Sequence, residues 1–108
     1  MQRNSSRGLF WLEPLVEVLT PQGRVAYGPV SAADVASLFE AGFLNGGAHA
    51  LALGLTDQIP YLAKQQRLTF ARMGITRPLS LDDYAEHGGW VGLKNAVAME
   101  PAAVVQQV

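Results

Sequence analysis

Gly88 and Gly89 interrupt the segment LSLDDYAEHGGWVGL, residues 79–93, and deny the last third of the chain one long helix. Ser80, with Asp83 three residues on, reads as a helix start. The hydroxyl caps first-turn N–H groups, and the carboxylate reaches back or complements the helix dipole. The glycine pair then supplies the left-handed backbone that stops a helix. Trp90 follows as an apolar anchor for the next one. The pattern predicts helices over 80–87 and 90–99. A third, over 101–107, begins at Glu100-Pro101, where proline suits the first helical position. This region is architecture and names no chemistry.

A compact chain of 108 residues buries roughly 65% of its unfolded surface, so one core is feasible. A net charge of −1 with 49% hydrophobic residues is globular composition. It lacks the low hydrophobicity of disorder and the broad basic footprint of a nucleic-acid or membrane binder. No apolar run approaches the ~20 residues a membrane span needs. The polar opening MQRNSSRG does not read as a signal peptide. The absence of cysteine excludes disulfides and thiolate ligands and fits a cytoplasmic protein.

Leu15–Thr20 and Arg24–Tyr27 are strand-like, and Pro21-Gln22-Gly23 between them is turn chemistry, which together predict a β-hairpin. Ser31 to Asp34 has capping-box spacing. Val35, Leu38 and Phe39 share a helical face, and Gly42 closes a helix over 32–41. Residues 44–60 are apolar and glycine-rich without a sustained period, and read as an ordered connector with one short turn. Asp57–Met73 carries a further helical pattern that Thr69 and Phe70 disturb. A lone hairpin is marginal in water and leaves its outer edges open. The strands therefore read as part of a larger sheet whose remainder is absent from this chain.

Candidate chemistry is sparse. His49 and His87 are distant in sequence and lack metal-spaced partners, and His87 suits the cation-favouring end of a helix. Asp82 and Asp83 are adjacent, so they point in different directions from a helix and suit capping. Lys64, Arg67, Arg72 and Arg77 form the only basic concentration. It reads as a solvated face, with Arg67 and Arg72 the best placed for bidentate contacts to phosphate or an acidic partner. Gly46-Gly47 and Gly88-Gly89 lack dinucleotide-fingerprint spacing. No Ser, His and acid set is arranged for nucleophilic catalysis. The residues alone name no catalytic, cofactor-binding or metal-binding position.

From about Ile59 to Val108 the sequence resembles the N-terminal lead-in of the NADH-binding flavoprotein subunit of respiratory NADH:quinone oxidoreductase, found also in NAD-dependent hydrogenases and formate dehydrogenases. The markers are Gln66-Arg67, Gly74 with Pro78, Asp83-Tyr84, Gly88-Gly89 before an aromatic, Leu93-Lys94, and Pro101. In that family an SGLRGRGGAGFP segment that binds FMN follows directly, and this chain stops at Val108. Ser6–Phe43 resembles the second half of the thioredoxin-like 2Fe–2S domain of the companion subunit. The family's CLGAC-x-x-x-P element reads here as Ser6 to Phe10 with Pro14 in the proline place, followed by the hairpin and the Ser31 helix. The two cluster cysteines correspond to Ser6 and Phe10, so this half has lost its 2Fe–2S site.

The resemblance implies an α+β chain in three parts. Residues 1–43 are half of a thioredoxin-like unit, a β-hairpin plus helix without cluster cysteines. Residues 44–60 are a connector, and 61–108 are a mainly helical lead-in. A cysteine-free thioredoxin-like unit ahead of the flavoprotein module resembles the β (diaphorase) subunit of soluble, molybdenum-containing NAD-dependent formate dehydrogenase. The stretches SRGLFWLEPLVEV and QQRLTFAR point to that branch. The complete subunit is expected to hold FMN, NAD and a 4Fe–4S cluster. Its implied partners are the 2Fe–2S thioredoxin-like subunit and the catalytic iron–sulfur subunit. No family residue that holds those cofactors falls within 1–108, so the piece is expected to be inactive scaffold and docking surface. The rival expectation is a free-standing, non-enzymatic interaction module with a degenerate thioredoxin-like fold.

Overall fold

The structure is a computed structural model and describes residues 4–108. It divides into two compact units, Ser6–Ala71 and Arg72–Val108.

In the first unit, β1 (Val16–Thr20) and β2 (Gly23–Tyr27) form the expected hairpin. Val16 faces Tyr27, and Thr20 faces Gly23 across the Pro21-Gln22 turn. The Glu13–Pro14 and Gly28–Pro29 peptide bonds are cis. A 3-10 turn at Ala32–Asp34 leads into α1 (Val35–Glu40). The capping box is present as the sequence implies, with the Ser31 N–H donating to Asp34 Oδ2 at 2.8 Å. These serine hydrogen bonds hold the Asp34 carboxyl below the ordinary aspartate range. Gly42, in the left-handed region, closes the helix.

The expected connector, 44–60, contains a third strand. β3 (Ala52–Leu55) pairs antiparallel with β2, giving the sheet order β1-β2-β3. Leu51, Leu53 and Leu55 alternate with small residues as a strand requires. Gly54 and a bulge between Ala26 and Tyr27 shorten that pattern below a legible period. The rest of the sheet, expected to be absent from this chain, is thus supplied in part by the chain itself, and β3 covers one hairpin edge. The helix expected within 57–73 shrinks to α2 (Pro60–Ala63), and residues 64–79 run as turns without regular helix. Pro60 starts it at the first helical position, and the pattern fails before Thr69 and Phe70.

Alternation along β2 sends successive side chains to opposite faces of the sheet. Ala26 packs in a core with Leu9, Ile59 and Leu62, flanked by Leu12, Leu15 and Leu53. Tyr27 is fully buried on the other face. Its ring meets Phe43 edge-on at 5.9 Å, and Phe43 meets Phe39 at 5.0 Å. The Tyr27 hydroxyl donates to the Gly47 carbonyl at 2.7 Å. Burial raises the Tyr27 phenol above its ordinary pKa.

The second unit holds α3 (Leu81–Glu86), α4 (Val91–Val97) and α5 (Pro101–Gln107), each one or two turns long. The expected helices over 80–87, 90–99 and 101–107 are all present, within a residue or two at each end. The Ser80 hydroxyl accepts from the Asp83 N–H at 3.2 Å, the expected cap. The Asp83 carboxylate reaches back further than a capping box requires, to the Arg77 N–H. No large apolar side chain in this unit is buried; Gly74 and Asp83 are its buried residues.

Candidate functional site

The sequence candidates fall into separate places. Ser6 and Phe10, the counterparts of cluster cysteines, stand at the start of the sheet unit. The Ser6 hydroxyl donates to Glu13 Oε1 and accepts from the Gly8 N–H at 2.9 Å. Phe10 is 74% exposed. A hydroxyl and a phenyl ring offer no thiolate, so this donor set does not fit an iron–sulfur cluster. Among the described residues no three His, Cys, Asp or Glu side chains gather as metal ligands.

The fold brings His49 to Ser37 on α1, a pairing the sequence did not reveal. Ser37 Oγ lies 3.1 Å from His49 Nε2, and the Leu51 N–H donates to His49 Nδ1 at 3.1 Å. An Nδ1 that accepts leaves the proton of the neutral ring on Nε2, so the imidazole donates to the serine. Ser37 in turn donates to the Asp34 backbone carbonyl at 3.0 Å. A ring that donates to the hydroxyl cannot also take its proton, so this is a latch and not a nucleophile–base pair. It ties α1 to the residues leading into β3.

His87 sits at the end of α3, as its sequence position implies. Its Nδ1–H donates to the Asp83 carbonyl at 2.8 Å, and the Asp83 carboxylate stands 3.7 Å away. Asp82 is exposed while Asp83 is buried, so the adjacent carboxylates share no site.

The basic concentration does not form one surface within either unit. Lys64 and Arg67 belong to the sheet unit, and Arg72 and Arg77 to the helical one. Arg67 donates to the Arg7 carbonyl at 3.1 Å and to Gln65 at 2.9 Å. Arg72 lies over the Tyr84 ring, 5.8 Å from its centroid, and donates to the His87 carbonyl at 3.1 Å. Both arginines singled out by the sequence hold their own chain.

Arg7 and Glu17, ten residues apart, form an ion pair that no local spacing announces. Arg7 Nε donates to Glu17 Oε1, and its Nη2 donates to Oε2 at 2.9 Å. Arg24 stands 3.7 Å from the same carboxylate. The two side chains are 9% and 16% exposed. The hydrogen bonds from Glu17 raise the Arg7 guanidinium above its ordinary pKa, against the opposing effect of burial. A charged residue between two valines in LVEVLT was the available signal, because a half-buried strand carboxylate requires a partner.

Gly88 is left-handed at φ +84°, as the sequence implies, and Gly89 lets the chain pass against Tyr84. A Cβ on Gly89 would lie 2.3 Å from the Tyr84 ring. Trp90 is left-handed too, at φ +68°, and meets the Tyr84 ring edge-on at 5.2 Å. That backbone costs an L-residue about 1–2 kcal/mol, which the ring contact offsets in part. Leu79, Leu81, Leu93, Val97 and Val105 are exposed, Leu79 at 99%. No helix among the described residues is long and apolar enough to cross a membrane.

No family model matches this sequence, and no curated protein matches it.

Proposed function

We propose that this chain is a scaffold and docking part of an NADH-binding flavoprotein subunit, of the type found in soluble NAD-dependent formate dehydrogenase. In that subunit NADH exchanges hydride with FMN, and electrons pass through iron–sulfur clusters towards partner subunits. The cofactors are held by residues outside 1–108, and this piece supplies structure and contact surface. The implied partners are the thioredoxin-like 2Fe–2S subunit and the catalytic iron–sulfur subunit, in the cytoplasm.

The observation that carries the docking role is the helical unit. Helices of six or seven residues are unstable alone in water and draw their stability from packing an apolar face. Here those apolar side chains are exposed, which is the signature of a surface that belongs against another body. Support for the family comes from the resemblance of residues 59–108. It comes also from the hairpin followed by a capped helix, the order of the second half of a thioredoxin-like domain. The same exposed faces favour one rival, a free-standing interaction module without enzymatic partners.

The native protein distinguishes the two. Isolated from its source and detected with an antibody to residues 4–108, it should be much larger than 11.6 kDa, contain FMN and reduce dyes with NADH. A flavin-free native species of 11.6 kDa would overturn the flavoprotein reading and leave the interaction module. The 108-residue chain itself should show no micromolar FMN binding by calorimetry.

A further inference from the structure

We infer that protonation of His49 unties the entry to β3, so that the pairing of β3 with β2 has a pH-sensitive end. His49 Nδ1 takes the place that an oxygen has in an Asx turn, accepting the N–H of the residue two positions on, Leu51. The backbone closes the same turn, where the Ala52 N–H donates to the His49 carbonyl at 3.0 Å. Leu51 donates to no backbone carbonyl in any turn or loop among the described residues, so the ring is its acceptor. The Leu51 carbonyl accepts from the Gly28 N–H at 3.0 Å, which carries the β2–β3 pairing beyond Tyr27 and Ala52. The imidazole thus holds the residue at which that pairing begins.

Only the neutral ring can do this. With its proton on Nε2 an imidazole has an acceptor at Nδ1, whereas the imidazolium has donors at both nitrogens. An added proton goes to Nδ1, the one free lone pair. It then opposes the Leu51 N–H across the 3.1 Å that separates the two nitrogens. The contact with Ser37 survives, because Nε2–H donates to its hydroxyl in both states. The contact with Leu51 does not.

The surrounding charges act in the same direction. The Ser31 hydrogen bonds, with a smaller contribution from His49, hold the Asp34 carboxyl below its ordinary range. Asp34 is therefore ionised wherever an imidazole titrates, and it draws the cation towards the start of α1, away from Leu51. Glu40 is the ionisable residue of α1 itself, three residues beyond Ser37. On the side of β3, residues 41–53 have no titratable side chain besides His49. Tyr27, which donates to the Gly47 carbonyl, stays neutral in this range because burial raises its phenol. This inference rests on the sheet unit alone and is independent of the flavoprotein reading.

Nitrogen NMR and amide exchange on the full chain, between about pH 8 and about pH 5, test it. At the alkaline end the His49 ring should have its proton on Nε2 and none on Nδ1. As the ring titrates, the protection of the Leu51 and Gly28 amides, corrected for the intrinsic pH dependence of exchange, should fall about fivefold, the weight of one ordinary hydrogen bond. Amides within the β1–β2 pairing should keep their protection. His49→Asn retains an acceptor for the Leu51 N–H and cannot titrate, so its Leu51 protection should be flat across the range. A neutral ring protonated on Nδ1, or one that takes up no proton by the acid end, would overturn the inference. Constant Leu51 protection through the ring's titration, or the same fall in His49→Asn, would do so equally. If His49→Asn does not fold, the spectra of the unaltered chain decide.

Discussion

The two units have similar proportions of apolar residues and use them in opposite ways. In Ser6–Ala71 the sheet gives short elements a common surface, so Leu9, Ala26, Ile59 and Leu62 meet on one face and Tyr27 closes the other. In Arg72–Val108 three short helices are held by their ends. Ser80 caps α3, Asp83 grips the Arg77 amide, Arg72 ties Tyr84 to the His87 carbonyl, and Pro101 starts α5. Caps and turns fix where a helix begins and ends, and they supply about 1 kcal/mol each. They do not replace a core. The contrast teaches that well-specified local structure and independent stability are separate properties.

Paired glycine substitutions give the largest expected effect. Gly47→Ala drives a Cβ to 1.8 Å from the Ala41 carbonyl oxygen, beneath the Tyr27 hydroxyl's acceptor. It should lower the stability of the chain by about 3 kcal/mol or more in urea unfolding. Gly89→Ala makes a comparable clash with Tyr84, yet its unit contributes no buried apolar core. It should leave the main transition within about 0.5 kcal/mol and show only as faster amide exchange in α3 and α4. Equal destabilisation by the two would break the contrast between the units.

Glu17→Ala leaves the largely buried Arg7 guanidinium without its carboxylate, and should cost about 2–3 kcal/mol. Tyr27→Phe removes a donor to the Gly47 carbonyl and should cost about 1–2 kcal/mol in the same assay. The raised phenol adds a pH dependence that disappears in Tyr27→Phe. Its stabilisation is complete below the free tyrosine pKa of about 10 and declines as pH rises through the higher folded value, because only the unfolded chain ionises there. Absorbance titration of the phenolate near 295 nm follows it directly.

The smallest expected effect is a gain. Thr56 is fully buried, and its hydroxyl has no hydrogen-bond partner among the described residues. Thr56→Val keeps the shape and removes the unsatisfied group, so it should stabilise the sheet unit by about 1 kcal/mol. A loss of stability on this substitution would mean that the hydroxyl is hydrogen-bonded in solution.

Where a feature depended on neighbouring residues, it was legible. Ser31 and Asp34 spell a capping box, Ser80 and Asp83 a helix start, Gly88 a stop, Pro101 a start, and Pro21-Gln22-Gly23 a hairpin turn. Each is a contact within four residues, and each appears in the structure. β3 was not legible, because a four-residue strand with a left-handed glycine is too short to display a period. Its existence is fixed by Ala26 and Tyr27, some 27 residues earlier, whose backbone it pairs. The His49–Ser37 latch and the Arg7–Glu17 pair were invisible for the same reason. Residue type announces that such a group needs a partner, and only folding names the partner.

Local spacing alone placed the starts and ends of the short elements, because caps and turns are made by residues within one helical turn of each other. Tertiary structure decided the rest. It settled that the hairpin gains a third strand and that the basic residues are divided between two units. It also decided that one unit has a core while the other presents its apolar side chains outward. Those outcomes depend on surfaces meeting across long stretches of chain, which no local spacing encodes.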